Sequence, residues 1–364
     1  MPSRRIGKAI AGCAVPIILM GFVLHFSHSA ALKPRLPQSS SRSIDSAASI
    51  SHRSRTAAPP RSLADTQGPP TIAPALMDSA VAPRLSRLEV EKYLERNGRS
   101  AASLLAAYGI LHDLNFLREA ATRFPNDPRL QLSVLRQDLF PEERRKWLDL
   151  FKISSPGNPL ADYLSARDHF QYGQSDLAVS DLMAAAAKPA FMDYSMESML
   201  NEEELNLSAG RSPLQARLSS KAWAQEVLPE LDSLKALTWD IITVQREYAA
   251  RGDSAFAQQM VQTGLMLAAG LRSGDAGQFL IQQLVGNAIE ATILRTLNPD
   301  GVYLFMGGIS PGARLAELRD QKDELSRLRR SADEALPKLS EPELLTYTER
   351  QRIFGEVEAL RWLQ

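Results

Sequence analysis

An all-α fold is predicted for the larger part of this chain, and three observations carry the prediction. From Leu85 onward, apolar residues recur at spacings of three and four with almost no strand-like alternation. Breakers fall at short intervals: Asn97-Gly98, Pro125 to Pro128, Pro141, Pro156 to Pro159, Pro189, Gly210 to Pro213, Pro229, Gly252-Asp253, Gly274, Pro299 to Gly301, Gly307 to Gly312, Pro337 and Pro342. The segments between them mostly run about 10–20 residues, ordinary helix lengths, which gives about a dozen antiparallel helices. One turn also recurs in form. Pro125-Asn126-Asp127-Pro128 returns as Pro156-Gly157-Asn158-Pro159, and Lys188-Pro189 follows at nearly the same interval. Each interval has room for two helices, the period of a stacked helical hairpin. The expected fold is therefore antiparallel hairpins stacked as an α-solenoid or an irregular bundle over residues 85–364, either as one body or as two parts, 85–188 and 189–364.

Two other segments precede it. Arg4, Arg5 and Lys8 stand before eighteen residues without a formally charged side chain, Ala9 to Phe26. That run reaches the lower range for a membrane-spanning helix, so residues 1–26 are expected to be a signal-anchor or signal segment. Small residues at Ser27, Ser29, Ala30 and Ala31 would allow cleavage near residues 29–31, which is the alternative. A buried soluble helix is a third reading, disfavoured by the segment that follows. Ile10-Ala11-Gly12-Cys13 resembles a lipoprotein box, but its apolar region follows the cysteine instead of preceding it. Ser3-Arg4-Arg5 resembles a twin-arginine signal, with Gly7-Lys8 where apolar residues belong. Lys33, Arg35 and Arg42 nearly balance the charges before the run, so orientation is poorly set. Residues 27–84 are rich in Ser, Ala, Pro and Arg, with Pro59-Pro60 and Pro69-Pro70 and few apolar residues. Such a composition does not bury enough apolar surface to offset its ordering entropy, and a disordered spacer is expected.

Charge divides the same way. Residues 1–87 carry 11 Lys/Arg against 3 Asp/Glu, and residues 88–364 carry 31 against 39. The helical part is mildly acidic, which argues against a nucleic-acid surface. Cys13 is the only cysteine, so intrachain disulfides, thiolate zinc sites and catalytic thiols are excluded from residues 85–364.

Two segments share a finer pattern. The first runs His169, Gly173, Ala178, Leu182, Ala185, and the second runs Tyr248, Gly252, Ala257, Val261, Gly264, at the same offsets. Both resemble degenerate tetratricopeptide repeats, in which an aromatic residue is followed by a turn glycine and then small, large and small residues on the second helix. His169 departs from the aromatic, although Phe170 stands beside it, and the tryptophan, leucine-glycine pair and final proline of the full motif are missing or displaced. The resemblance implies paired helices in close approach and a surface that binds protein or peptide.

Candidates for chemistry are few. His112 and His169 are the histidines of the helical part, and neither has a second histidine at helical spacing. His169 is expected as a surface or packing residue near a helix end, and His112-Asp113 as a loop pair before the next helix, with Asp113 or Asn115 capping it. Glu202-Glu203-Glu204 are adjacent and point about 100° apart on a helix, so a solvated face is expected. Pro141-Glu142-Glu143 reads as a helix start. Gly307 to Gly312 lacks the lysine and spacing of a phosphate loop and reads as a connection. Arg251-Gly252-Asp253 matches an adhesion tripeptide but is explained as the hairpin turn, and Asn206-Leu207-Ser208 is a formal glycosylation sequon. Phe191, Met192, Met196 and Met199 are expected in the core, with a peptide groove as the sharper alternative. The charged stretch Arg314 to Arg330, with Leu315, Leu318, Leu325 and Leu328, reads as a solvated helix or a short coiled-coil contact. No catalytic, cofactor-binding or metal residue is assigned, and no cofactor is expected. The function expected is a single-pass membrane protein whose helical domain, on the extracytoplasmic side, acts as a scaffold for a protein or peptide. A secreted form after cleavage is the alternative localisation, and an extracytoplasmic helical enzyme is the alternative function.

Overall fold

A computed structural model describes residues 84–188, 191–220, 229–274 and 278–364. The expected anchor over residues 9–26 and nearly all of the expected spacer lie outside the described residues, as do Lys188-Pro189 beyond Lys188 and the segment before Pro229. Among the described residues there are fifteen α-helices and no strand. They are α1 (Arg87–Arg96), α2 (Ala101–Leu111), α3 (Leu114–Arg123), α4 (Pro128–Arg136), α5 (Arg144–Ser154), α6 (Pro159–Gln171), α7 (Ser175–Ala186), α8 (Ser195–Ser208), α9 (Pro213–Ser219), α10 (Pro229–Ala250), α11 (Ser254–Leu271), α12 (Leu280–Leu294), α13 (Pro311–Ala335), α14 (Glu341–Phe354) and α15 (Glu356–Trp362). None of them is long and apolar enough to cross a membrane.

Local chemistry sets where these helices start. Ser86 and Glu89 close a reciprocal capping box at α1, and Ser340 with Glu343 does the same at α14. Asp127 and Asn158, the two equivalent positions of the recurring turn, each accept backbone N–H groups at the head of α4 and α6, with proline in the first turn. Asp113 caps α3 by accepting from the Asn115 N–H at 2.9 Å, and the residue before it, His112, ends α2 in the left-handed region at φ 53°. That break, and Gly355 between α14 and α15 at φ 84°, raise the helix number above the dozen expected. Pro141–Glu143 forms a 3-10 turn leading into α5.

Consecutive helices pack against one another from α1 to α7. The chain then leaves this order: α8 returns to lie on α2, and α9 lies against α8 and α14. With the next hairpin the chain comes back, α10 packing on α6 and α11 on α7, after which α12 and α13 add on in order. Two ties set the register of α10 on α6. Asn158, at the head of α6, binds Met192 through both backbone groups, while Glu230, at the head of α10, is joined through Arg136 to the backbone of Asp193. Nine and ten residues further on, Arg167 and Asp240 form an ion pair at 2.8 Å. The two helices therefore run in the same sense. One apolar cluster extends from Leu85 to Ile293 and crosses position 188–189. A smaller one joins Leu280, Leu325, Leu328, Tyr347 and Leu360.

Candidate functional site

A dense polar grouping lies where α5, α6 and α7 meet. Arg145 of α5 donates to Asp149 Oδ1 (2.8 Å), to Ser165 Oγ (2.6 Å) and to Asp168 Oδ2 (3.5 Å). Lys152, two turns later, donates to Asp181 Oδ1 of α7 at 2.5 Å. Ser165 Oγ donates to the other oxygen of Asp181. His169 Nδ1 bonds Gln174 Oε1 at 2.6 Å, and an amide oxygen only accepts, so Nδ1 carries a proton. Its Nε2 faces an Arg145 N–H at 3.2 Å and lies 3.6 Å from Asp181, beyond hydrogen-bond reach.

Serine, histidine and aspartate thus sit together, but not in the order that activates a nucleophile. A relay needs the hydroxyl to donate to the imidazole and the imidazole to the carboxylate. Here the hydroxyl gives its proton straight to the carboxylate, and Ser165 is fully buried. The arrangement binds three helices together through charge-assisted hydrogen bonds, which are stronger than neutral ones.

Beside this lattice a cleft of about 310 Å³ opens between α6 and the turn that leads into α5, with Ser233 of α10 at its edge. Arg144, Arg167, Asp168, Gln171, Tyr172 and Ser233 line it. Arg144 lies 3.4 Å from Asp168, which is 4% exposed, and also donates to the Leu135 carbonyl at 3.1 Å. Arg167 holds Asp240, whose carboxyl is nonetheless raised because burial outweighs the guanidinium. Tyr172 stands exposed at the rim. Both guanidiniums are answered by carboxylates, so the cleft is polar without bare charge. Such a lining accepts a polar segment by exchanging hydrogen bonds.

A second polar centre is buried at the head of α10. Arg136 and Glu230 form an ion pair with side chains 6% and 3% exposed. Asp193 accepts from the Ser195 N–H at 3.0 Å and from the Gln282 side chain. Its carboxyl is pushed up by complete burial, partly opposed by Arg136 and reinforced by Glu230. One guanidinium offsets two buried carboxyls here.

The residues singled out in the sequence scatter. His112 and His169 end up on different helices, one terminating α2 and the other in the lattice. Glu202 and Glu203 do not form a solvated face: they are 2% and 7% exposed, and only Glu204 of the three is exposed. Glu203 meets Arg217 at 3.0 Å, and Glu202 fills space left by Gly109, where a Cβ would lie 2.0 Å from Glu202 Oε1. Phe191 and Met199 are core residues, as expected, with Met192 and Met196 half-buried. Asn206 of the sequon is buried, its side-chain nitrogen donating to the Glu202 carbonyl at 2.8 Å. Leu318, Leu325 and Leu328 are spent within the fold, leaving no free leucine seam on α13. Sequence reasoning missed Arg136, Asp193 and Glu230, because they come from three separate stretches of chain and no local pattern links them. Among the described residues no group of three His, Cys, Asp or Glu side chains is placed to hold a metal ion. No protein-family model, curated protein or solved structure matches the chain, so the site rests on its geometry.

Proposed function

We propose that this protein is a membrane-tethered helical scaffold whose stacked hairpins bind a protein or peptide partner, held to the bilayer by residues 9–26 through the spacer of residues 27–84. One observation carries the reading. The two hairpins that resemble tetratricopeptide repeats, well separated in sequence, lie directly on each other in the same sense, and a polar cleft runs along the first helix of one, with Ser233 of the other at its edge. Hairpins related in this way present extended concave surfaces, a common basis for peptide binding. The exposed Tyr172 at the cleft suits an interface, since aromatic side chains with a polar end are enriched there.

Photo-crosslinking tests this. A crosslinkable side chain at Tyr172 should trap a discrete partner in native membranes, and Arg167→Ala should weaken that capture. The same capture from Ile153, exposed at the end of α5, would refute the cleft as the binding site. The tether has its own test. A charge at the centre of a membrane helix costs about 2.5–3.5 kcal/mol on insertion scales, so Leu19→Arg should release the protein or block its export. Unchanged membrane fractionation of that variant refutes the anchor.

A further inference from the structure

The segment between α12 and α13 is a closed loop with an inverted surface. Its base is fastened by the Gly312 N–H, which donates to the Pro299 carbonyl at 2.8 Å. A Cβ on Gly312 would lie 2.9 Å from that carbonyl oxygen, so the fastening needs glycine. Inside the loop, Tyr303 accepts from the Asn298 N–H at 3.2 Å and its ring lies 5.5 Å from that of Phe305, which packs toward the main core. The aromatic residues are turned in, and the aliphatic ones are turned out. Val302 is 79% exposed, Leu304 is 94% exposed and Ile309 is 42% exposed. Gly307 and Gly308, both at positive φ, complete the tip. No residue from Gly301 to Ala313 carries a formal charge.

Three exposed side chains on one tip offer a few hundred Å² at most, well short of the roughly 800 Å² per partner of a stable protein interface. A second copy or a folded partner is therefore a poor occupant. A lipid surface demands no matching shape: binding grows with whatever apolar area is buried, and an uncharged aliphatic tip enters without desolvating a charge. The chain outside the described residues supplies one: the uncharged run ends at Phe26, and the stretch from Ser27 to Arg84 joins it to the helical domain. As the flexible spacer its composition predicts, that stretch would span about 40 Å, which would keep the domain at high effective concentration near the bilayer and let a weak contact be occupied.

We propose that the tip Val302–Ile309 dips into the surface of the bilayer that tethers the chain, making a second, uncharged membrane contact that fixes how the helical domain faces the lipid. The inference rests on the tether proposed above. Cys13 is the only cysteine, so the full chain carrying Cys13→Ala and Leu304→Cys takes a single environment-sensitive fluorophore at the tip. It is reconstituted into phosphatidylcholine vesicles, beside a control labelled through Ile153→Cys. Blue-shifted emission at position 304, quenched by lipid-borne quenchers and absent at position 153, is the expected result. Adding Val302→Asp should abolish that quenching, while raised salt should leave it unchanged because the tip has no charge. Protein that pellets with vesicles while position 304 reports water overturns the loop contact and leaves the tether standing. A shift at 304 that lipid quenchers do not reach assigns the tip to protein burial and overturns it too. Protein left in the supernatant overturns both proposals.

Discussion

Hairpin α6–α7 and hairpin α10–α11 share a spacing and a turn, but different chemistry holds each one shut. Gly173 and Gly252 close the turns at φ 70° and 85°. Ala178, Leu182 and Ala185 in one, and Ala257 and Val261 in the other, are buried at the shared positions. Around the first hairpin stand Ser165, Asp168 and Asp181, bound to Arg145 and Lys152 of α5. Around the second, Tyr248 packs on Phe256 with ring centres 4.1 Å apart, and Gly264 makes room for Ile293 of α12. The sequence spacing led us to expect Gly264 against its own hairpin partner. Its nearest neighbour is instead the next helix, with Ile241 of α10 further off at 3.7 Å from a hypothetical Cβ. Small residues at fixed offsets thus govern how near two backbones come, while the third helix against them decides whether the seam is polar or apolar.

The largest effect should come from the deeply buried ion pair that ties the head of α10 to α4. Glu230→Ala removes the carboxylate bonded to the buried Arg136 guanidinium and should cost about 3–5 kcal/mol, read as a fall in the denaturation midpoint; a loss under about 1 kcal/mol would show that the pair is hydrated in solution. Next comes the apolar seam itself. Ala257→Leu overpacks it and should cost about 1–3 kcal/mol, whereas Gln258→Leu, exposed on the same helix, should be near neutral. Equal melting of both variants would break the shared-motif comparison. The turns should respond alike: Gly173→Ala and Gly252→Ala each force a left-handed Cβ, at about 1 kcal/mol, and neither Cβ meets an atom within 4 Å. A large difference between them would mean that only one turn is used as the spacing implies.

A further effect, one that depends on pH, concerns Asp193 near the head of α10. Burial raises the folded-state pKa of Asp193 above its unfolded value. Its contribution to stability is therefore full below the unfolded value, near pH 4, and is lost as pH rises toward the folded one, by up to about 1.4 kcal/mol per pH unit. Asp193→Asn mimics the protonated form. It should melt with the wild type near pH 4 and above it at pH 7. Melting below the wild type at pH 7 would show that the ionised carboxylate is the native form.

Helix ends were the most legible part of this chain. Asp127-Pro128 and Asn158-Pro159 bind backbone groups two or three residues away, so their chemistry is complete within a few positions of sequence. The turn glycines were legible for the same reason, since positive φ excludes most side chains whatever surrounds them. Glu202 and Glu203 were misjudged because adjacency told only that their side chains diverge. It could not show that each diverges into a prepared site, one beside Gly109 and the other against Arg217. The candidate cleft was illegible as a site, because Arg144, Arg167 and Ser233 meet only after α10 returns to α6.

Sequence alone determined the helical class, the heads of most helices, the two hairpin turns and the division of charge along the chain. Each of these follows from dihedral preference, from hydrogen bonds spanning a few residues, or from counting. Tertiary structure decided which carboxylates are buried, which hairpins stack, where the polar cleft opens and which aliphatic side chains are left outside. Those outcomes turn on desolvation, and whether a charge or a methyl group loses its water depends on a neighbour supplied from far along the chain.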